Sequence, residues 1–242
     1  YSIYGFVRFA DENVDTFHDH DKHYLLDKFR KDTFEAIEQK ISLNPILNSF
    51  QKVVHQFDID MQLITTFLDS MAMDLNKKEY DKELYDKYIL GSAEVVGLMC
   101  LKVFTNGNRE LYNQLEYYAM KLGAAFQKIN FLRDLQADYQ VMGRTYFPGI
   151  NFETFNETEK VKIEYDIEAD FAMGYEGLKK LPKNSRFGVY IAYVYYYTLF
   201  KKIKNTPAHR IMNERIRVPD NEKYSLLLRS YVKHSLNMIW WL

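Results

Sequence analysis

Two groups of polar residues recur at helical spacing inside otherwise apolar stretches. Tyr4, Arg8, Asp11 and Asp15 follow one another at intervals of four, three and four; Gln127, Asn130, Asp134 and Asp138 follow at three, four and four. On an α-helix each set falls on one face. Around the first stand Ile3, Phe6, Val7, Phe9, Ala10 and Val14, and around the second Phe126, Ile129, Phe131, Leu132 and Leu135. A helix that is apolar nearly all round is normally buried, and a buried carboxylate is costly unless paired or bound to a metal. The plainer reading of either stripe alone is the wet face of an amphipathic helix. Both stripes, however, end in Asp-x-x-x-Asp, a like-charge pair that weakens an isolated helix. Two such pairs facing each other would repel strongly without cations between them. Rigidly held oxygen ligands suit Mg²⁺, with Mn²⁺ as a substitute, since Mg²⁺ keeps waters and bridges to substrate phosphates. Arg8 and Arg133 add positive charge for phosphate oxygens.

The rest of the chain must supply long, unbroken elements to carry these faces. Gly and Pro together make up fifteen of 242 residues, about half of the roughly 12% usual in globular proteins. Such a chain lacks the turn-formers of a sandwich, barrel or propeller. Helical periodicity predicts helices over Ile3–Phe17, Tyr24–Ile41, Pro45–Phe57, Ile59–Leu75, Leu84–Phe104, Arg109–Tyr139, Glu157–Lys180 and Ser185–Lys204, and from Lys223 to the end. The fold class expected is an all-α, single-domain bundle over residues 1–242. GRTYFPG (143–149) is a marked break beside the second stripe.

Charge and composition exclude several functions. A net charge of −1 offers no basic stripe for nucleic acid. One cysteine, Cys100, rules out an internal disulfide framework and suits a reducing, cytoplasmic compartment. The most apolar run, Phe187–Phe200, is too short and tyrosine-rich for a membrane span. The chain opens without Met on residues that already read as helix, so a preceding segment is expected. Aromatic residues, at 16%, are the one real excess. His18, His20 and His23 read as a solvated loop, Cys100 as core and Asp74 as structural.

RFADENVD (8–15), YILGSAEVVGLM (88–99) and LGAAFQKINFLRDLQADYQVMGRTYFP (122–148) together resemble the squalene/phytoene synthase family, in collinear order almost from Tyr1 to IRVP at 216–219. The look is nearest to the bacterial phytoene synthase branch. Gln-x-x-Asn-x-x-Arg-Asp-x-x-x-Asp followed by Gly-Arg-x-Tyr-x-Pro is the specific part. The resemblance implies a class I terpenoid-synthase helical bundle with a central cavity. It implies that Asp11, Asp15, Asp134 and Asp138, with Asn130, hold Mg²⁺ on substrate diphosphates. Arg8, Gln127, Asn130, Arg133, Arg144 and Arg215 match positions that contact diphosphate or lie near it. Tyr4, Tyr88, Tyr146 and Tyr196, with Arg8 and Arg133, match positions beside the reacting groups.

The implied activity is head-to-head condensation of two geranylgeranyl diphosphates to phytoene through a cyclopropylcarbinyl diphosphate, a step of carotenoid biosynthesis. Farnesyl diphosphate, giving squalene or dehydrosqualene, is the alternative. No Gly-rich fingerprint suggests NADPH, which the phytoene reaction does not need. A terpene cyclase would pair one Asp-rich motif with a different second motif. A di-iron bundle would need Glu-x-x-His pairs, which are absent from the sequence. A non-catalytic helical interaction protein would leave both stripes exposed and idle. The terminal MIWWL suits peripheral membrane contact, and oligomeric state is not legible.

Overall fold

A computed structural model describes residues 1–76, 80–141, 145–150 and 154–236, the side chains of 140 and 141 excepted. Eleven α-helices occupy these residues: α1 Ser2–Asp15, α2 Lys22–Gln39, α3 Pro45–Phe57, α4 Met61–Asn76, α5 Lys82–Ile89, α6 Val95–Phe104, α7 Arg109–Gln136, α8 Glu157–Lys180, α9 Lys183–Lys204, α10 Ala208–Ile211 and α11 Asp220–Ser235. Several start where the sequence places a capping side chain. Asp21 accepts from the Tyr24 amide, Asn44 from those of Ile46 and Leu47, Asn108 from Leu111, and Asn156 from Thr158 and Glu159. Each cap satisfies donors that a helix start otherwise leaves open. The MIWWL segment lies outside the described residues.

Two of the expected long helices are modified. The helix predicted over Leu84–Phe104 passes through a π-helical turn at Leu90–Glu94, between α5 and α6. The one predicted over Arg109–Tyr139 ends in a second π-helical turn at Ala137–Val141. Periodicity is blind to a single widened turn, because the apolar face resumes after it. Such turns mark sites where a helix is re-aimed. Both lie in segments that carried the family resemblance.

The bundle has two main cores. Phe6, Phe29, Phe50 and Phe67 gather α1–α4 and the start of α6 around one, with Phe6 and Phe50 stacked at 3.9 Å between ring centroids. The second joins α5, α7, α8 and α9 through Ile129, Leu132, Ile167, Phe171 and Phe200. α7 runs through the middle and packs on α6, α8 and α9. Its Lys128 is buried and pairs with Asp166 at 2.5 Å and Asp170 at 2.6 Å on α8. Removing one partner would strand charge in the interior, so this cluster fixes the rotation of α7 about its axis. That rotation decides where the second polar stripe points.

Glycines let α7 approach its neighbour. A Cβ at Gly123 would lie 2.6 Å from the Ala93 carbonyl oxygen, and one at Gly97 2.7 Å from that of Ala119. Backbone lies opposite in both cases, so no side-chain rotation relieves the clash. Gly123→Ala is therefore expected to destabilise the fold by about 1–3 kcal/mol through overpacking, against the small gain that alanine brings to a helix. Urea denaturation of the two proteins checks the sign.

Candidate active site

α1 and α7 each present part of their polar stripe to one cavity of about 740 Å³ between α1, α4, α5, α6, α7, α8 and α9. Tyr4, Arg8 and Asp11 reach it from α1; Gln127, Asn130 and Arg133 from α7; Tyr196 from α9; Tyr88 from α5. The remainder is largely apolar and runs along α7 as far as Leu115. Asn130 to Leu115 is fifteen residues, about 22 Å at the rise of an α-helix. The site is thus a long apolar trough with a polar mouth.

At the mouth each aspartate stripe meets arginine. Arg8 reaches Asp11 at 2.6 Å and also pairs with Glu12. Arg133 donates through Nε to Asp134 at 3.0 Å, and Arg215 through its own Nε at 2.7 Å. Burial, then the negative charge of Asp15, push the half-buried Asp11 carboxyl above its ordinary range, and Arg8 offsets only part of this. Asp11 is therefore a carboxylate short of positive charge. Beside it in the cavity, Asn130 donates to Gln127 at 3.4 Å, while its buried Oδ1 accepts no hydrogen bond. A buried acceptor left unsatisfied is costly.

These features fit a hard divalent cation. All the donors are oxygens, the carboxylate pair on α1 repels itself, and a neutral amide oxygen stands free. Among the described residues no three carboxylate, histidine or cysteine side chains gather closely enough to cage an ion unaided. Mg²⁺ does not require such a cage, since it takes waters and phosphate oxygens into its shell.

Of the other candidates, Asp15, Asp134, Asp138 and Tyr146 are not among the residues that line the cavity. Asp15 is exposed at the end of α1, and Asp138 is buried in the π-helical turn. Asp134 stands beside the cavity through Arg133, and Arg215 reaches it from the segment after α10. Arg144 lies outside the described residues. Tyr146 is buried, stacked on Phe131 at 4.0 Å. Tyr196 lines the cavity and stacks on Phe126 at 4.2 Å, whereas Tyr193 and Phe200 on the same helix pack into the core. Burial raises the Tyr196 hydroxyl, opposed by the charge of Arg133 and a hydrogen bond with Asn130. Cys100, read from the sequence as core, lines the cavity, and burial pushes its thiol up to about 11. His18 and His20 are exposed in the loop before α2, as expected, whereas His23, also exposed, stands in the first turn of α2.

Asp74 is more than spacing revealed. It is buried, and three tyrosines donate to it: Tyr88 at 2.5 Å, Tyr80 at 3.0 Å and Tyr146 at 3.4 Å. One carboxylate thus fixes two tyrosines that the motifs had singled out. Burial, then Asp74, drive the Tyr88 hydroxyl well above its ordinary value, so it stays protonated and donates. The clue in the sequence was weak: Asp74 shares no stripe, and of its partners Tyr146 lies 72 positions away.

An all-helical bundle with carboxylates, arginines and tyrosines at the mouth of a deep apolar cavity has the architecture of the all-helical terpenoid synthases. Solved structures with this fold include a dehydrosqualene synthase in complex with ligand, with a TM-score of 0.80 and 21% identity over 97% of this chain and 86% of that one. Another is the squalene synthase HpnC from Alicyclobacillus acidocaldarius, with a TM-score of 0.70 and 19% identity over 88% and 83%. The squalene/phytoene synthase family model matches residues 1–222, and the chain belongs to that family. Curated relatives include a 4,4'-diapophytoene synthase of Staphylococcus haemolyticus, 29% identical over 178 residues, and the chloroplastic phytoene synthase 3 of Zea mays, 25% identical over 255. These alignments cover 70% and 96% of this chain but 59% and 58% of the relatives.

Two outcomes are expected. Asp74→Asn keeps the shape but sets amide hydrogens against tyrosine donors, lowering stability by about 1–3 kcal/mol; thermal unfolding checks it. A carboxyl whose folded-state pKa is raised binds its proton more tightly in the native protein, so its contribution is full below about pH 3.8 and is lost as pH rises through the raised value. Relative to wild type without divalent cations, Asp11→Asn should therefore gain stability as pH rises through the carboxylate range. A pH series of denaturation midpoints reads the difference.

Proposed function

We propose that the protein condenses two molecules of geranylgeranyl diphosphate head to head, with Mg²⁺, to give phytoene. One observation carries this reading: the stripes of α1 and α7 open on one apolar trough about 22 Å long, measured on the rise of α7 from Asn130 to Leu115. A polar mouth suits a diphosphate, and the trough suits the isoprenoid tail. The family membership supports the reaction class.

Asp11, Asp15, Asn130, Asp134 and Asp138 would hold the cations. When bound, Mg²⁺ neutralises charge developing on a leaving diphosphate. Arg8, Arg133 and Arg215 are already at the mouth, paired with aspartates. They turn to diphosphate oxygens once the aspartates have another positive partner, and Arg144 is assigned the same role. Gln127 and Asn130 orient the diphosphate beside them. As the allylic C–O bond of one substrate ionises, the double bond of the second attacks, and proton loss yields the cyclopropylcarbinyl diphosphate. Its ionisation, rearrangement to the 1-1′ linkage and a second proton loss complete the product. Throughout, the apolar walls exclude water from the cations. The faces of Tyr196 and Phe126 stabilise positive charge passing over them. Tyr88, its hydroxyl held by Asp74, forms part of the cavity wall with Tyr146 packed against it; Tyr4 covers the mouth beside Arg8.

The relative named 4,4'-diapophytoene synthase favours a second reading with the shorter farnesyl diphosphate. Offering each diphosphate with Mg²⁺, with and without NADPH, and identifying the hydrocarbon decides between them. Phytoene from geranylgeranyl diphosphate without NADPH is expected; a hydrocarbon formed from farnesyl diphosphate alone overturns it, whether it is dehydrosqualene made without NADPH or squalene made with it. Asp11→Asn and Asp134→Asn should each slow diphosphate release at least about a hundredfold, the scale of losing one stabilising group at a transition state. Near-normal Mg²⁺-dependent release in both would sink the enzyme reading.

A further inference from the structure

α9 lines the cavity with a stripe at intervals of four, Gly188, Ala192 and Tyr196. Four-residue spacing keeps the three on one face. The largest stands at the polar mouth, near Asn130 and Arg133, and the smallest toward the far end of the trough. The N-terminal end of α9 closes that far end. There Ser185 donates to the Phe104 carbonyl oxygen at 3.3 Å, and Leu101, Leu115 and Leu181 form a small separate core with Val189 against it.

Gly188 is an anomaly in this setting. Glycine is disfavoured in a helix interior, so its presence calls for a reason. Close packing is not the reason: a Cβ at Gly188 would meet no heavy atom within 4 Å, whereas those at Gly91, Gly97, Gly123, Gly174 and Gly177 would all collide. Nor is backbone conformation, because the positive-φ glycines are Gly107 and Gly149. What Gly188 has is a place on the cavity wall and open space where its side chain would stand.

We propose that Gly188 is a specificity-determining residue, whose missing side chain leaves room in the trough for the terminal isoprene unit of a twenty-carbon tail. The proposal rests on the isoprenyl diphosphate reading above. Extended tails with sixteen and twelve main-chain carbons reach roughly 19 and 14 Å, taking C–C bonds of about 1.5 Å at near-tetrahedral angles. Tyr196 and Gly188 are separated by about 12 Å of helix. A tail whose first carbon stands between about 2 and 7 Å beyond Tyr196 brings its last carbons to Gly188 if it has twenty carbons, and stops short if it has fifteen. A Cβ at this position enters open space rather than the packing of a neighbouring helix.

The experiment uses Gly188→Ala and Gly188→Phe. Turnover of geranylgeranyl and farnesyl diphosphates is measured with Mg²⁺, alongside binding of the two unreactive thiodiphosphate analogues and thermal stability. The ratio of geranylgeranyl to farnesyl turnover should fall about threefold in the alanine variant and at least tenfold in the phenylalanine variant, with the same order in analogue binding. Melting temperature should rise in the alanine variant, which separates a filled cavity from a damaged fold. Ratios unchanged within twofold in both variants, for turnover and for binding, would overturn the proposal. Wild-type protein that turns over neither diphosphate would instead refute the enzymatic reading, and the analogue-binding ratio would still decide the role of Gly188.

Discussion

The structure depends on one electrostatic constraint: carboxylates on two rigid helices must stand at the edge of a low-dielectric cavity without driving the helices apart. Asp11 and Asp15 repel each other along α1, and the raised Asp11 carboxyl records that cost. Arginine relieves part of it. Arg8 binds Asp11, and Arg133 and Arg215 together bind Asp134. Guanidinium groups stay charged at any relevant pH and fork onto carboxylates. They hold the mouth together while leaving themselves free to exchange one anion for another, which an apolar patch could not do.

Rigidity is the second requirement, and it is placed away from the mouth. The buried Lys128 is clamped between Asp166 and Asp170 on the side of α7 that faces α8. Such an ion cluster contributes little net stability compared with apolar packing, but it fixes an orientation that leucines would leave free to slip. Gly97 and Gly123 bring the α6 and α7 backbones together so closely that no rotation is tolerated. Asp74 does the equivalent for tyrosines, drawing Tyr80, Tyr88 and Tyr146 from three segments onto one carboxylate.

Much of this was legible in the sequence where the information is local. Helical period gave the positions of most of the long helices to within a few residues. The stripes gave the faces of α1 and α7. The π-helical turns at Leu90–Glu94 and Ala137–Val141 left no trace, because a widened turn adds one residue without altering composition. Asp74 was invisible as more than a structural residue for another reason: its meaning lies in three partners up to 72 positions away, and no pairwise spacing along the chain encodes such a cluster. Cys100 packs against the first core as expected and also lines the cavity, because a cavity wall and a packed core demand the same apolar residues.

That last equivalence explains how a chain rich in aromatic residues can serve both stability and chemistry. Phe6 and Phe50, or Phe171 and Phe200, stack inside the cores and keep the helices apart at fixed distances. Phe126 and Tyr196 make the same kind of stack, yet both line the cavity. The difference lies in position: the core pairs are enclosed by side chains, whereas Phe126 and Tyr196 pack against the second core and also border the trough. A ring with one face packed and one face free is oriented by its neighbour and presents a negative π-surface to whatever enters. Burial on one side thus supplies the preorganisation, and the empty side supplies the function. The glycines obey the same division, since Gly97 and Gly123 lie against backbone, Gly174 and Gly177 lie against the side chains of Leu122 and Tyr118, and Gly188 faces room.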